Sequence, residues 1–285
     1  MIFGARRNGG NMIKNKKQLG QNWLKDRDIL LSIAALAASP DCHDVIEIGA
    51  GLGTLTSALF HYFDRVIALE YDQTLAQQLP QSFPGKDLAV LYADALSLQV
   101  SRGRASATRP SPQSAKLSDN YVIAGNIPYY ITSPIIDTVL SLKYPPSKIV
   151  LLLQKEVAER IAAKAGQHSV LSLSTQARAQ VSLGDVVKRE YFTPVPKVDS
   201  RLIIMKPRQQ SLLEPEELRH IKALFKNPRK KLATNLSSHC HISRAEALNA
   251  LINCGVNQDV RPADLSFANW HELLSKLHLT CNNKT

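Results

Sequence analysis

The sequence predicts an α/β fold: a mostly parallel sheet covered on both faces, followed by a small all-helical C-terminal domain. Three observations predict it. Short apolar runs alternate with helix-spaced segments between residues 45 and about 200. Several of those runs have continuous apolar centres, such as "IVLLL" and "LIIM", as expected for strands buried on both faces. From about residue 209 the strand-like runs stop and only helical spacing remains.

The elements follow in order. Residues 1–15 are rich in Gly, Asn and Arg and read as a disordered basic N-terminus. "ILLSIAALAA" (29–38) is too short to span a bilayer and reads as a buried helix. "DVIEI" (44–48), "RVIALE" (65–70) and "LAVLYAD" (88–94) read as strands, with helices at 54–63 and 73–79 between them. "YVIAGN" (121–126), "KIVLLLQ" (148–154) and "RLIIMK" (201–206) continue the strand series, with helices at 134–142 and 156–165. Residues 97–119 are dominated by Ser, Arg, Pro and Ala and read as a long mobile loop. The first domain is therefore expected over 16–208 and the helical one over 209–285. In the latter, helices are expected at 215–225, 228–237, 243–254 and 267–277. Asn227 before Pro228 suggests an N-cap and first helical position, and Ser243 with Glu246 a capping box.

The 285 residues carry a net charge of +11, unevenly placed. Residues 1–27 and 201–285 each hold +6, whereas 28–200 is near neutral at −1. Two basic ends around a neutral centre suggest a polyanionic partner. The N-terminus is polar and lacks an apolar leader stretch, and the four cysteines form no C-x-x-C pair, which together suggest a cytoplasmic protein with reduced thiols. No metal site is expected, since "HCH" (239–241) is the nearest approach to ligand spacing.

Two stretches carry chemistry. "EIGAGLGTLT" places Gly49, Gly51 and Gly53 directly before a helix, and Glu70 ends the next strand nineteen positions after Gly51. Glycines there let a ligand approach the backbone, and the carboxylate suits two ribose hydroxyls. The Gly-x-Gly-x-Gly spacing departs from the dinucleotide fingerprint. A dinucleotide site and an empty tight turn remain the alternatives. Asp94 closes the third strand, where it suits an adenine amino group. In "AGNIPYYIT", Pro128 stiffens a turn that presents the Asn126 amide, the Ile127 carbonyl and the Tyr129 ring in succession. Two acceptors there could take both hydrogens of an exocyclic amine, freeing its lone pair for a methyl sulfonium, while Tyr129 stacks on the base. A rigid connecting turn is the simpler alternative.

"NIPYYIT", with "LGQNWLKD" (19–26), "EIGAGLGTLT", "QKEVAERI" (154–161), "YFTPVPKVDS" (191–200) and "FKNPRKKLATNL" (225–236), resembles the rRNA adenine dimethyltransferases. The resemblance implies a class I, Rossmann-like methyltransferase domain using S-adenosylmethionine. It implies Asn22, Leu24, Gly49, Glu70, Asp94 and Asn126 as cofactor contacts, with Gly51 in the glycine turn, and Phe192 as a second ring flanking the target base. Trp23 stands where that family usually has phenylalanine. The similarity is greatest to the branch that dimethylates two adjacent adenines near the 3′ end of small-subunit rRNA, in an assembling subunit. A monomer acting without a membrane is expected. Lys16, Lys17, Arg229, Lys230 and Lys231 are the candidate RNA contacts, the last three expected on the first turn of a helix, where a phosphate would relieve their opposition to the helix dipole. The competing readings are a large-subunit rRNA methyltransferase of the macrolide-resistance type and a non-catalytic rRNA-binding assembly factor.

Overall fold

A computed structural model of the chain describes residues 21–101, 104–107 and 115–281. The expected disorder of 1–15, and Lys16 and Lys17, lie outside those residues, as do 102–103 and 108–114 of the expected loop and residues 282–285.

The elements in chain order begin with β1 (Trp23–Leu24), α1 (Arg27–Ala37), β2 (Asp44–Ile48), α2 (Thr54–Leu59), β3 (Arg65–Glu70), α3 (Gln73–Gln78) and β4 (Asp87–Tyr92). Then come β5 (Leu98–Ser101), β6 (Arg104–Ala107), β7 (Ala115–Lys116), β8 (Tyr121–Asn126), α4 (Thr132–Leu140), β9 (Lys148–Gln154), α5 (Lys155–Ile161), α6 (Val170–Arg178) and β10 (Ala179–Val187). The chain continues through β11 (Phe192–Thr193), β12 (Ser200–Pro207), α7 (Pro215–Leu224), α8 (Leu232–Cys240), α9 (Arg244–Asn253) and α10 (Phe267–Cys281).

The central sheet has the order β10-β12-β9-β8-β2-β3-β4. From β9 to β4 neighbouring strands are parallel, and β12 runs antiparallel to both of its neighbours. Period-2 alternation divides each central strand between two cores. Ile46, Ile48, Ile67, Ile123 and Leu151 meet α4 and α5 on one face. Val45, Val66, Val122, Val150 and Leu152 meet α1 and α2 on the other. Burial on both faces is why the strands read as continuous apolar runs.

The strand order reverses between β2 and β8, and the crevice beyond their carboxyl ends is where open α/β sheets bind ligands. The glycine turn follows β2 and Asn126 ends β8, so the two chemistry-bearing stretches meet there. Gly125 makes the meeting close: a Cβ on it would come within 2.7 Å of the Ile48 carbonyl oxygen.

The structure corrects several expectations. The described parts of 97–119 form a three-stranded antiparallel sheet, β5-β6-β7, instead of a loop. Leu98, Val100, Ala105, Ala115 and Leu117 are buried against the main core. Their apolar side chains are few and interspersed with Ser and Arg, which hides the alternation. Helix α6 and strand β10 were not expected. Helix α6 is Ser/Thr-rich, held by the Ser169–Ser172 capping box, and β10 is an edge strand with most of its residues part-exposed.

Helix α8 begins at Leu232, four residues later than Pro228. The Lys230 amide donates to the Asn227 carbonyl (3.0 Å), so Asn-Pro occupies the first two places of a β-turn. Both places favour the same residues as an N-cap and N1 pair, so the sequence signal served two structures. Arg229, Lys230 and Lys231 therefore lie on the turn and cap before the helix. The capping box of Ser243 and Glu246 forms as expected. The C-terminal helices share one core with Leu173 and Ala177 of α6, around a fully buried Trp270.

Candidate active site at the strand switch point

Gly49 and Gly51 adopt φ of +75° and +56°, a region costly for residues with a Cβ. This bends the chain back so that the Gly51 amide donates to Glu70 Oε2 (2.7 Å), while the Asp72 amide donates to Oε1 (2.7 Å). Glu70 is thereby fixed at the end of β3, facing the cleft. Each carboxylate oxygen has further acceptor capacity, as two ribose hydroxyls would need. Burial raises its pKa, against the lowering effect of the Asp72, Gly51 and Tyr71 amides.

Beneath the turn, Glu47 is fully buried. Its Oε2 accepts from Thr56 Oγ1 (2.5 Å), and its Oε1 has no partner among the described residues. Burial pushes its pKa up to about 7, opposed by the Thr56 hydrogen bond and assisted by the Glu70 charge.

Asp94 sits half-buried at the far end of the cleft, its carboxylate capping the Leu96 amide (2.9 Å). Tyr71, Leu96 and Tyr130 form an exposed rim beside it. Burial raises the Tyr130 pKa, assisted by the Asp94 and Tyr71 charges.

At the near end, Asn126 Nδ2 donates to the Asn22 carbonyl (2.9 Å). That bond docks the N-terminal segment onto the switch point and fixes which end of the amide is oxygen. Neither Asn126 Oδ1 nor the Ile127 carbonyl has a hydrogen bond among the described residues; Asn126 is part-exposed at the cleft, whereas Ile127 is 1% exposed with its side chain in the core, so only its backbone is left to meet a substrate. Pro128, at φ −57° and ψ 134°, leads into a short 3-10 turn at Tyr129–Ile131 and then α4.

The cleft thus brings together Asn22, Gly49, Gly51, Glu70, Asp94, Asn126, Ile127 and Pro128. Two expected residues depart from their places. Leu24 does not line it: its side chain is 1% exposed, in the core with α1, leaving only its backbone to meet a ligand. Phe192 is 2% exposed in the same core, paired with Leu24 across the β1–β11 ribbon, and offers no open face to a base. The ribbon alternates, so as Leu24 turns inward Trp23 turns to the cleft. The Tyr129 side chain lies outside what the structure describes. Arg229, Lys230 and Lys231 are all exposed, but Lys231 Nζ is paired with Asp259 at 2.7 Å.

The sequence reading missed Trp23, Tyr71 and Tyr130 as cleft residues. Each is the immediate neighbour of an expected one, which is the only signal that could have found them.

The site fits S-adenosylmethionine. The left-handed glycines open the backbone to the ligand, Glu70 offers two acceptors midway, and Asp94 offers one at the rim. The dinucleotide alternative loses its footing with the matches below.

The family described as "Ribosomal RNA adenine dimethylase" matches residues 12–278. Among curated relatives, "Ribosomal RNA small subunit methyltransferase A" of Anaeromyxobacter dehalogenans is 35% identical, over 92% of this chain and 93% of that protein. The protein of the same name from Ligilactobacillus salivarius is 34% identical, over 92% and 90%. Among solved structures, the 23S rRNA methyltransferase ErmE is 27% identical, with a TM-score of 0.67 over 90% of this chain and 99% of that one. A dimethyladenosine transferase from Plasmodium falciparum shares the fold at a TM-score of 0.72 and 24% identity, over 90% and 98%. The fold is that of the class I methyltransferases, and the chain belongs to the ribosomal RNA adenine dimethylase family.

Proposed function

We propose that the chain is a methyltransferase that dimethylates the N6 amines of two adjacent adenines near the 3′ end of small-subunit rRNA. One observation carries the chemistry: the unspent acceptor pair, Asn126 Oδ1 and the Ile127 carbonyl, at the end of β8 beside the glycine turn. A non-catalytic RNA-binding protein would have no use for that pair. Small-subunit RNA is favoured over large-subunit RNA by the names of the relatives at 34–35% identity. We extend the proposal to a cytoplasmic monomer acting on an assembling subunit. Among the described residues no helix is long and apolar enough to cross a membrane.

Bound S-adenosylmethionine supplies a methyl group on a sulfonium, already a strong electrophile. The residues of the chain do the rest. Glu70 and Asp94 hold the cofactor's polar edges, and the glycine turn admits it against the backbone. Asn126 Oδ1 and the Ile127 carbonyl accept the two N6 hydrogens of adenine, so the nitrogen can pyramidalise and aim its lone pair. The amine is neutral, so no strong base is needed before attack, and the work is proximity and electrostatics. Attack forms the N–CH3 bond as the S–CH3 bond breaks and leaves a cationic N6 that sheds one proton to water; one N–H then remains, and one acceptor suffices to orient the second transfer.

Nucleoside mass spectrometry on undermethylated small-subunit RNA, after incubation with the protein and S-adenosylmethionine, tests the reading. N6,N6-dimethyladenosine is expected. Methylation at another adenine atom, or at another base, would overturn it.

A further inference from the structure

Trp23 carries a donor, its indole N–H, that the phenylalanine expected here from the family resemblance would lack. Its backbone is fixed by pairing with Thr193 in the β1–β11 ribbon, and the buried Leu24 beside it sets its side chain toward the cleft. The indole lies against the glycine turn: a Cβ built on Gly51 would be 3.2 Å from Nε1 and 3.3 Å from Cδ1. Among the described residues the Nε1–H has no hydrogen-bond partner. An indole nitrogen donates and cannot accept. A half-buried donor at a cleft edge therefore awaits an acceptor.

The position of that donor narrows the choice. The strands run in the order β8-β2-β3-β4, so Asp94 after β4, with Tyr71 and Tyr130 beside it, marks one end of the cleft, where adenine is expected, and Glu70 at the end of β3 lies between the ends. Trp23 against Gly51 after β2, and Asn126 of β8 bonded to Asn22, mark the other. The part of S-adenosylmethionine expected there is its amino-acid moiety, with an ammonium, which cannot accept, and a carboxylate, which can. We infer that Trp23 is a cofactor-binding residue whose indole N–H donates to the carboxylate of S-adenosylmethionine, an inference that rests on the cofactor site proposed above.

The test pairs Trp23→Phe, which keeps an aromatic ring and removes the N–H, with decarboxylated S-adenosylmethionine, which keeps everything but the acceptor. Calorimetry gives four affinities. In the unaltered protein, loss of the carboxylate should weaken binding about tenfold more than it does in Trp23→Phe, the low end for a hydrogen bond to a charged group. Equal penalties in the two proteins would overturn the inference and leave the cofactor site standing. Failure of the unaltered protein to bind S-adenosylmethionine at all would overturn both.

A second measurement needs the variant only for assignment. The chain has two tryptophans, and Trp270 is fully buried in the helical domain, where it serves as an internal reference. In spectra of the 15N-indole-labelled protein, S-adenosylmethionine should move the Trp23 indole proton downfield, and the decarboxylated cofactor should leave it near its free position. The same shift with both ligands would assign the donor to a ribose oxygen and overturn the inference.

Discussion

Replacing Asn126 by alanine removes two interactions of different kinds. One is the 2.9 Å bond from Nδ2 to the Asn22 carbonyl, half-buried and worth about 1 kcal/mol of stability. The other is Oδ1, an acceptor with no partner among the described residues. If Oδ1 takes an N6 hydrogen as the nitrogen pyramidalises, its interaction strengthens toward the transition state, and its loss falls on turnover instead of binding. A preorganised group aimed at developing charge is worth about 2.7–4 kcal/mol, or 10²–10³ in rate. RNA affinity should change little if the basic segments carry it, since Arg229, Lys230 and Lys231 lie outside the cleft. The assay is single-turnover methylation with saturating undermethylated subunits, beside a binding assay on the same variant. Turnover within a few-fold of the unaltered protein would refute the amine-acceptor role. A parallel loss of RNA binding would show that Asn126 acts by docking the N-terminal segment.

Glu47 titrates in the folded state near pH 7, above its unfolded value of 4.5, so the folded protein holds the extra proton between those limits. Its contribution to stability is present below pH 4.5 and is lost as pH rises through 7, by up to about 3 kcal/mol. Glu47→Gln keeps an acceptor for Thr56 and removes the titration. In denaturant melts of the cofactor-free protein, the variant's stability relative to the unaltered chain should rise between pH 5 and pH 8, and a constant difference would contradict this. Reversing Arg229 and Lys230 should weaken RNA binding and flatten its salt dependence while leaving cofactor affinity intact, whereas Lys231→Ala, already paired with Asp259, should do less. Equal salt slopes across these variants would place the RNA surface elsewhere. Phe192→Ala should lower unfolding free energy by about 3–5 kcal/mol, as for a core aromatic. A variant of unchanged stability that has lost activity would instead restore Phe192 as a base-stacking ring.

The sheet was legible because its central strands are buried on both faces. "DVIEI", "YVIAGN" and "KIVLLLQ" cannot be mistaken for amphipathic helices, and the structure places them within one residue of the expected bounds. The switch point was legible as chemistry, since glycines with Glu70 and Asn-Ile-Pro-Tyr each ask for a ligand. What stayed hidden depends on the third dimension. Nothing linear tells that Leu24 turns inward and Trp23 outward, because a two-residue ribbon has too little pattern to show its register. Nor does it tell that Phe192 fills the core on the other side of that ribbon. Asn227-Pro228 read equally well as a helix start and as a β-turn, and the contact that decides is the Leu232 amide donating to the Val260 carbonyl at 2.7 Å, twenty-eight residues away in sequence. The small sheet within 97–119 is recognisable only from the core it covers.

The central claim, adenine methylation in small-subunit RNA through the acceptor pair of "NIPYY", is tested most directly by tritium transfer. Undermethylated small and large subunits are incubated separately with tritiated S-adenosylmethionine and either the unaltered protein or Asn126→Ala, and the RNA is then digested to nucleosides. The account predicts label in small-subunit RNA, confined to methylated adenosines and falling at least a hundredfold in initial rate with the variant. Label in large-subunit RNA alone, or equal rates for the two proteins, would contradict it.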